Sequence, residues 1–205
     1  MHNEKAPLRL FLMVQTWYTK GWNKSLESST WNLQNYQIAW TWWLASSQLE
    51  RVCWTWGVTM LICQSPSYKK ARLRRPYQSA LQNVADNGLE DKIEVRLANG
   101  LAAFEPTDGI SCITIAGMGG RLIADILAAG LEKLAGVSRL VLQPNNREDE
   151  LRSWLVDHDF RIVDEAILEE NEKFYEILVV EHGSQELTAK ELRFGPYLMQ
   201  EQAPA

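Results

Sequence analysis

Several short stretches of this chain carry side chains that could hold a ligand or do chemistry. Asn99-Gly100 offers an amide that both donates and accepts hydrogen bonds, as an adenine edge requires. An ordinary Asn-Gly turn explains the same dipeptide and, on the dipeptide alone, is the favoured reading. Gly117-Met118-Gly119-Gly120 has Cβ-free positions that would let backbone N–H groups approach a ligand closely. Tight packing of a strand against a helix would use the same glycines. Gln143-Pro144-Asn145-Asn146 presents amides able to hydrogen-bond a flipped base, although Asn146 also reads as a helix cap. Tyr175-Glu176 could support a base pocket, with inward packing on a sheet as the default. His158 and His182 read as surface residues.

Competing nucleotide chemistries fail on spacing. The position three after Gly119 is Leu122, so the GxGxxG fingerprint is absent, and no Lys-Ser/Thr follows to build a phosphate loop. That argues against NAD and ATP. Cys53, Cys63 and Cys112 form no CxxC pair and lack a His at metal-ligand spacing, so reduced thiols and no metal are expected.

The loops acquire meaning from the elements that must hold them. From Pro76 onward, helix and strand patterns alternate. Tyr77 to Asn87 predicts a helix with Ala80, Leu81 and Val84 on one stripe and Gly88 as its stop. Ile93, Val95 and Leu97 alternate with charged residues as a strand does. Ile110 to Ala116 predicts a strand ending in the glycine loop, and Arg121 to Ala128 a helix facing inward through Leu122, Ile123, Ile126 and Leu127. Leu140 to Leu142 is the next strand. A helix capped by Asn146 follows, with Glu148 and Asp149 suiting the positive end of its dipole and Leu151, Trp154 and Leu155 as its core stripe. Phe160 to Leu168 and Phe174 to Glu181 close the pattern as strands. This order predicts an α/β fold: a parallel sheet with helices on both faces and an antiparallel edge, whose ligands sit beyond the C-terminal ends of the strands.

Residues before Pro76 read differently. Eight of the nine tryptophans fall in the first 56 residues, without sustained helical periodicity or strand alternation. The net charge of −5 argues against binding nucleic acid by bulk charge alone while leaving a local basic face open. The run Leu8 to Val14, broken by Arg9, is too short for a secretion signal, and no uninterrupted apolar run reaches the roughly 18 residues of a membrane span. A cytoplasmic protein with no membrane segment is therefore expected.

Taken in order and spacing, "VRLANGLAAF", "ITIAGMGGRLI", "LQPNNREDELRSWL" and "KFYEILVVE" resemble the bacterial tRNA adenine-22 N1-methyltransferase family, over about residues 76–198. The resemblance implies a Rossmann-like S-adenosylmethionine-dependent methyltransferase domain, with tRNA as partner and S-adenosyl-L-methionine as cofactor. By this likeness Asn99 and Gly100 hold the cofactor's adenine side, and Gly117, Met118 and Gly119 line the cofactor beside the target base. Asn145, Asn146 and Tyr175 are the substrate-binding candidates. Attack by adenine N1 on a sulfonium methyl is an in-line displacement, so positioning and removal of a base proton matter more than a covalent nucleophile.

Two departures from the family qualify this. An Asp-x-Gly-Ser-Asp-His turn after the first strand, and an acidic residue on the second, have no counterpart before Pro76, so the domain is expected to be incomplete at its N-terminal strands and no catalytic residue is singled out. The helical, coiled-coil-like extension that family members carry beyond the equivalent of Tyr197 is expected to be present here only as its truncated start. The genetic code suggests an origin for the first departure. Joining the third base of each codon to the first two of the next, Cys53-Trp54 must give Leu, Trp54-Thr55 Asp, Thr55-Trp56 Leu, Met or Val, and Trp56-Gly57 Gly. Residues 1–75 are thus expected to be an anomalous segment read largely out of frame, 76–182 the methyltransferase core, and 183–205 a tail that begins a helical extension. The basic cluster Lys69 to Arg75 is then mostly an accident of frame. The alternative function is a non-catalytic remnant, or an RNA- or protein-binding module lacking the cofactor.

Overall fold

The computed structural model describes residues 10–11, 58–60, 74–86, 88, 90, 93–103, 105–170 and 173–200. Its main sheet has five strands in the order β2 (Val58–Met60), β4 (Cys112–Met118), β5 (Arg139–Pro144), β7 (Lys173–His182), β6 (Phe160–Glu170). The first three run parallel, and β7 lies antiparallel to both β5 and β6. A separate parallel pair joins β1 (Leu10–Phe11) to β3 (Ile93–Glu94). Among the described residues four helices accompany these strands: α1 (Arg74–Asp86), α2 (Gly120–Ala128), α3 (Glu148–Asp157) and α4 (Ala189–Phe194).

Alternation along the strands divides the core. Ile113 and Ile115 of β4, Leu140 and Leu142 of β5, and Leu178 and Val180 of β7 face one cluster, together with Ile123 and Leu127 of α2 and Leu151 and Leu155 of α3. Cys112, Val141, Ile177 and Val179 form a second, smaller cluster on the opposite face. Among the described residues, the buried apolar side chains of α1, α2 and α3 all belong to the first cluster, so the expected helix layer on both faces is described on one face only.

Individual elements adjust the expectations. Helix α1 starts before Tyr77. It buries Ala80 and Val84, four residues apart, and leaves Leu81 exposed, because the packed stripe is narrower than the apolar pattern. Gly88 ends it in a left-handed conformation with its N–H on the Ala85 carbonyl. Strand β3 stops at Glu94. Leu97 is exposed, since Arg96 turns the chain by donating to Glu94, Asp108 and the Ala103 carbonyl. The residues before Pro76 contribute the two short strands β1 and β2, where no strand was expected. Parallel pairing uses only backbone N–H and C=O groups, and the edge of β4 offers a row of them to any neighbouring chain. The rest of residues 1–73, including the basic cluster through Arg72, lies outside the described residues.

A bulge in β6 determines which acid meets the core. Its register against β7 slips between Ile162 and Asp164, so Glu165 instead of Asp164 shares a face with Phe160 and Ile162. There it meets Arg152 of α3. The Arg152 guanidinium, fully buried, donates from Nε to Glu165 Oε1 at 2.8 Å, from Nη2 to Glu176 Oε2 at 2.5 Å and from Nη1 to the Leu192 carbonyl at 3.1 Å. The other Glu165 oxygen accepts the Tyr197 N–H at 2.9 Å. One cation therefore ties α3, β6, β7 and α4 together, and its partner Glu165 adds the chain after α4.

Candidate functional site

Parallel strands β4 and β5 end side by side, and the loops that leave them, 117–120 and 143–147, form one rim. The glycine loop begins with a bulge: Ala116 pairs with Gln143 and Met118 with Pro144, which leaves Gly117 out of register. Gly117 has φ 78°, a left-handed conformation that side chains with a Cβ rarely adopt. Its N–H, displaced from the ladder, is taken by the side chain of Gln143 at 2.8 Å. Further bonds stitch the loops: Asn145 N–H donates to the Met118 carbonyl at 2.7 Å, and Gly120 N–H to the Asn146 carbonyl at 2.8 Å.

Gly119 and Gly120 are explained by this contact. A Cβ on Gly120 would sit 2.3 Å from the Arg147 carbonyl oxygen, and one on Gly119 would sit 2.8 Å from Asn146 Oδ1. Helix α2 can start where it does because Gly120 carries no side chain to meet that backbone, whereas a Cβ on Gly119 would displace only the end of the exposed Asn146 side chain. Across the gap, Arg147 adopts φ 56° and ψ 45° and is the residue that precedes the first turn of α3. Asn146 was expected to cap that helix and does not. Its carbonyl is committed to Gly120, and α3 begins without a side-chain cap, behind a left-handed Arg147.

The candidate residues fall into two groups. Gly117, Met118, Gly119, Asn145 and Asn146 lie together on the rim, Asn145 half-buried and Asn146 exposed. The Met118 side chain is part of the core and its carbonyl is spent on Asn145. Tyr175, half-buried, stands near the start of β7. The register Leu142↔Leu178 places that end of β7 at the same edge of the sheet as the end of β5. Asn99 and Gly100 stand apart, and no hydrogen bond among the described residues links them to the rim. Gly100 is buried at φ 53° and opens a 3-10 turn over 100–103. That turn packs on the end of α2, where a Cβ on Gly130 would come 2.6 Å from Leu101. Asn99 closes the turn through its carbonyl, which accepts Ala102 N–H at 3.1 Å. Its side-chain amide is exposed and has no partner among the described residues, so both its donor and its acceptor edges are open to a nucleobase.

His158 stacks on Trp154 at a centroid distance of 4.1 Å and contacts the Trp154 carbonyl through Nδ1, while His182 Nε2 contacts the Leu134 carbonyl. Both are tied into the packing away from the rim. Among the described residues no three His, Cys, Asp or Glu side chains cluster as metal ligands would, and no helix is long and apolar enough to cross a membrane.

Residues 73–205 match the model of the tRNA (adenine(22)-N(1))-methyltransferase family, TrmK. The chain belongs to that family. It is 42% identical over 132 residues to the tRNA (adenine(22)-N(1))-methyltransferase of Bacillus subtilis, a match that covers 62% of this chain and 55% of the relative. The chain thus spans about half the length of the curated relatives it matches. A Streptococcus pneumoniae protein solved in complex with S-adenosyl-L-methionine superposes with a TM-score of 0.66 at 46% identity, over 98% of this chain and 77% of that one. TrmK of M. capricolum, solved with S-adenosyl-homocysteine, gives a TM-score of 0.52 at 27% identity, over 67% of this chain and 57% of that one. The fold is Rossmann-like, as expected from the alternation of elements after Pro76.

Two functional features escaped sequence reasoning. Gln143 was grouped with the amides that face a base, yet it is buried and joins the two loops. The signal was its place at the end of an apolar strand, where an amide must find partners. Arg152, set among Leu151, Trp154 and Leu155, was overlooked as the hub of an ion-pair network. A charge beside an apolar stripe was the sign of it.

Proposed function

We propose that this chain belongs to an enzyme that transfers the methyl group of S-adenosylmethionine to N1 of adenine 22 in tRNA, in the cytoplasm. The observation that carries the reading is the stitched rim of 117–120 and 143–147, built from the motifs of a chain that matches the family from residue 73 onward. The residues present fit a nucleoside cofactor at one end. Asn99 offers an unpartnered amide to an adenine, and Gly100, left-handed and without a side chain, lets the backbone turn beneath it. Gly117, Met118 and Gly119 would line the cofactor through their backbone. Asn145, Asn146 and Tyr175 would hold the flipped base against them.

Bound S-adenosylmethionine would supply an electrophilic methyl group on a sulfonium. The chain's own task is to hold the base so that its N1 lone pair faces that methyl in line, which is worth several orders of magnitude in rate when the geometry is fixed. The three-way division at residues 75 and 182, with the segment before it read out of frame, is part of the proposal. Sequencing the source DNA tests it, and failure to find a single-base slip that restores an Asp-x-Gly turn would refute it.

The activity is tested with the whole chain. Calorimetric titration with S-adenosylmethionine should show micromolar binding that Asn99→Ala weakens. Labelled methyl should pass to unmodified tRNA with adenine at position 22 and not to a transcript with guanine there. A folded sample that binds neither ligand would instead favour the non-catalytic alternative.

A further inference from the structure

The geometry points to Gln143 as a positioning residue that fixes the polarity of the Asn145 amide, so that Asn145 offers the target base a hydrogen-bond donor. This rests on the proposed function for its substrate but not for its geometry.

The inference follows from a chain of bonds whose direction is forced. A backbone N–H can only donate, so the Gln143 atom 2.8 Å from Gly117 N must be the oxygen, Oε1. The other end of the same amide is then Nε2. It reaches the Pro144 carbonyl at 2.8 Å, which can only accept, and Asn145 at 3.0 Å. Because Nε2 donates, the Asn145 atom it meets must be Oδ1. The Asn145 Nδ2 group is left without a partner among the described residues, half-buried at the rim. A bulge in β4 thus dictates, through two side-chain amides, which face of Asn145 the site presents. Gln143 is itself only 5% exposed and cannot turn to water, so no competing arrangement relieves the constraint.

The consequence is chemical. Adenine has three ring acceptors, N1, N3 and N7, and one exocyclic donor. N1 must keep its lone pair free for the methyl group. A donor at Asn145 therefore grips N3 or N7 and leaves N1 available, whereas an acceptor there would engage the exocyclic amine. Loss of a single neutral hydrogen bond to a base corresponds to about a tenfold fall in kcat/KM.

Steady-state methyl transfer on tRNA carrying adenine, 3-deazaadenine or 7-deazaadenine at position 22 tests this. The unaltered protein should lose about tenfold in kcat/KM on one deaza substrate beyond its loss on the other. Gln143→Glu keeps an acceptor for Gly117 N–H but cannot donate, so Asn145 turns its Nδ2 inward. In that variant, and in Asn145→Ala, the difference between the two analogues should vanish. An equal difference in all three proteins overturns the proposal, as does no difference in the unaltered one. If unmodified tRNA is not methylated at all, the functional reading fails and the polarity is judged by nitrogen-15 NMR of the full chain. Exchange of the Asn145 side-chain NH2 should be fast in the unaltered protein and slowed in Gln143→Glu, and unchanged exchange overturns the inference.

Discussion

Replacing Arg152 by Met removes the cation that holds two carboxylates and a carbonyl at the junction of α3, β6, β7 and α4. The methionine fills much the same volume, so the cost is mainly electrostatic. Glu176 is 25% exposed and can turn towards water, but the Glu165 carboxylate is fully buried and keeps only the Tyr197 N–H. Stranding a buried charge in this way costs about 3–5 kcal/mol. For a protein of this size the loss lowers the melting temperature by roughly 10 °C. Urea denaturation followed by circular dichroism measures it. Adding Glu165→Gln should recover a large part, because glutamine still accepts from Tyr197 without a charge to desolvate. Hydrogen exchange at the Tyr197 amide should quicken in the single variant and slow again in the double. An Arg152→Met protein within about 1 kcal/mol of the original, indifferent to Glu165→Gln, would refute the reasoning.

Three further outcomes follow from the geometry. Gly120→Ala drives a methyl group into the Arg147 carbonyl, so it should part the stitched loops, cost about 1–3 kcal/mol and weaken S-adenosylmethionine binding by calorimetry. Arg147→Gly relieves a left-handed non-glycine residue, worth about 1 kcal/mol, and forfeits an exposed pair with Glu150 worth less, so thermal denaturation should show equal or slightly higher stability. The Arg139 guanidinium, bonded to Glu181 and assisted by Arg161, holds the Glu181 carboxyl below the usual carboxylate range. A lowered folded-state pKa stabilises above that range, and the gain disappears as pH falls through it. Glu181→Gln should therefore be less stable near neutrality and converge on the original protein in acid, as urea midpoints across pH would register.

Much of the scaffold was readable from residue patterns because β4, α2, β5 and α3 each follow one period. Ile113, Ile115, Leu140 and Leu142 alternate as strands must, and Leu151 and Leu155 recur at helical spacing. Where expectation failed, a non-local contact had decided. Leu81 and Leu97 have the right chemistry for burial and are exposed, since no element among the described residues covers them. Asn146 is a good cap by composition, but the approach of Gly120 claims its carbonyl and moves the helix start to Arg147. The glycines of the 117–120 loop were visible, while the reason for each was not: Gly117 answers to a bulge, Gly119 to the Asn146 side chain and Gly120 to the backbone of Arg147. A slip of register such as that at Val163 leaves no mark on composition, so the pairing of Arg152 with Glu165 was beyond reach.

The placement of β7 between β5 and β6 bears on how the chain comes to its native state. Three of the five strands in the main sheet, with α3, are built from the single stretch 139–182, and β6 and β7 pair from Glu170↔Lys173 to Phe160↔His182. Bringing them together closes short loops and forfeits little chain entropy. Strand β2 reaches its partner only across the span from Val58 to Cys112. The C-terminal stretch is therefore the natural nucleus, and β4 and then β2 dock onto an edge that already exists. Substitutions in β5, β6 or β7 should slow folding, and those at the β2–β4 seam should chiefly hasten unfolding.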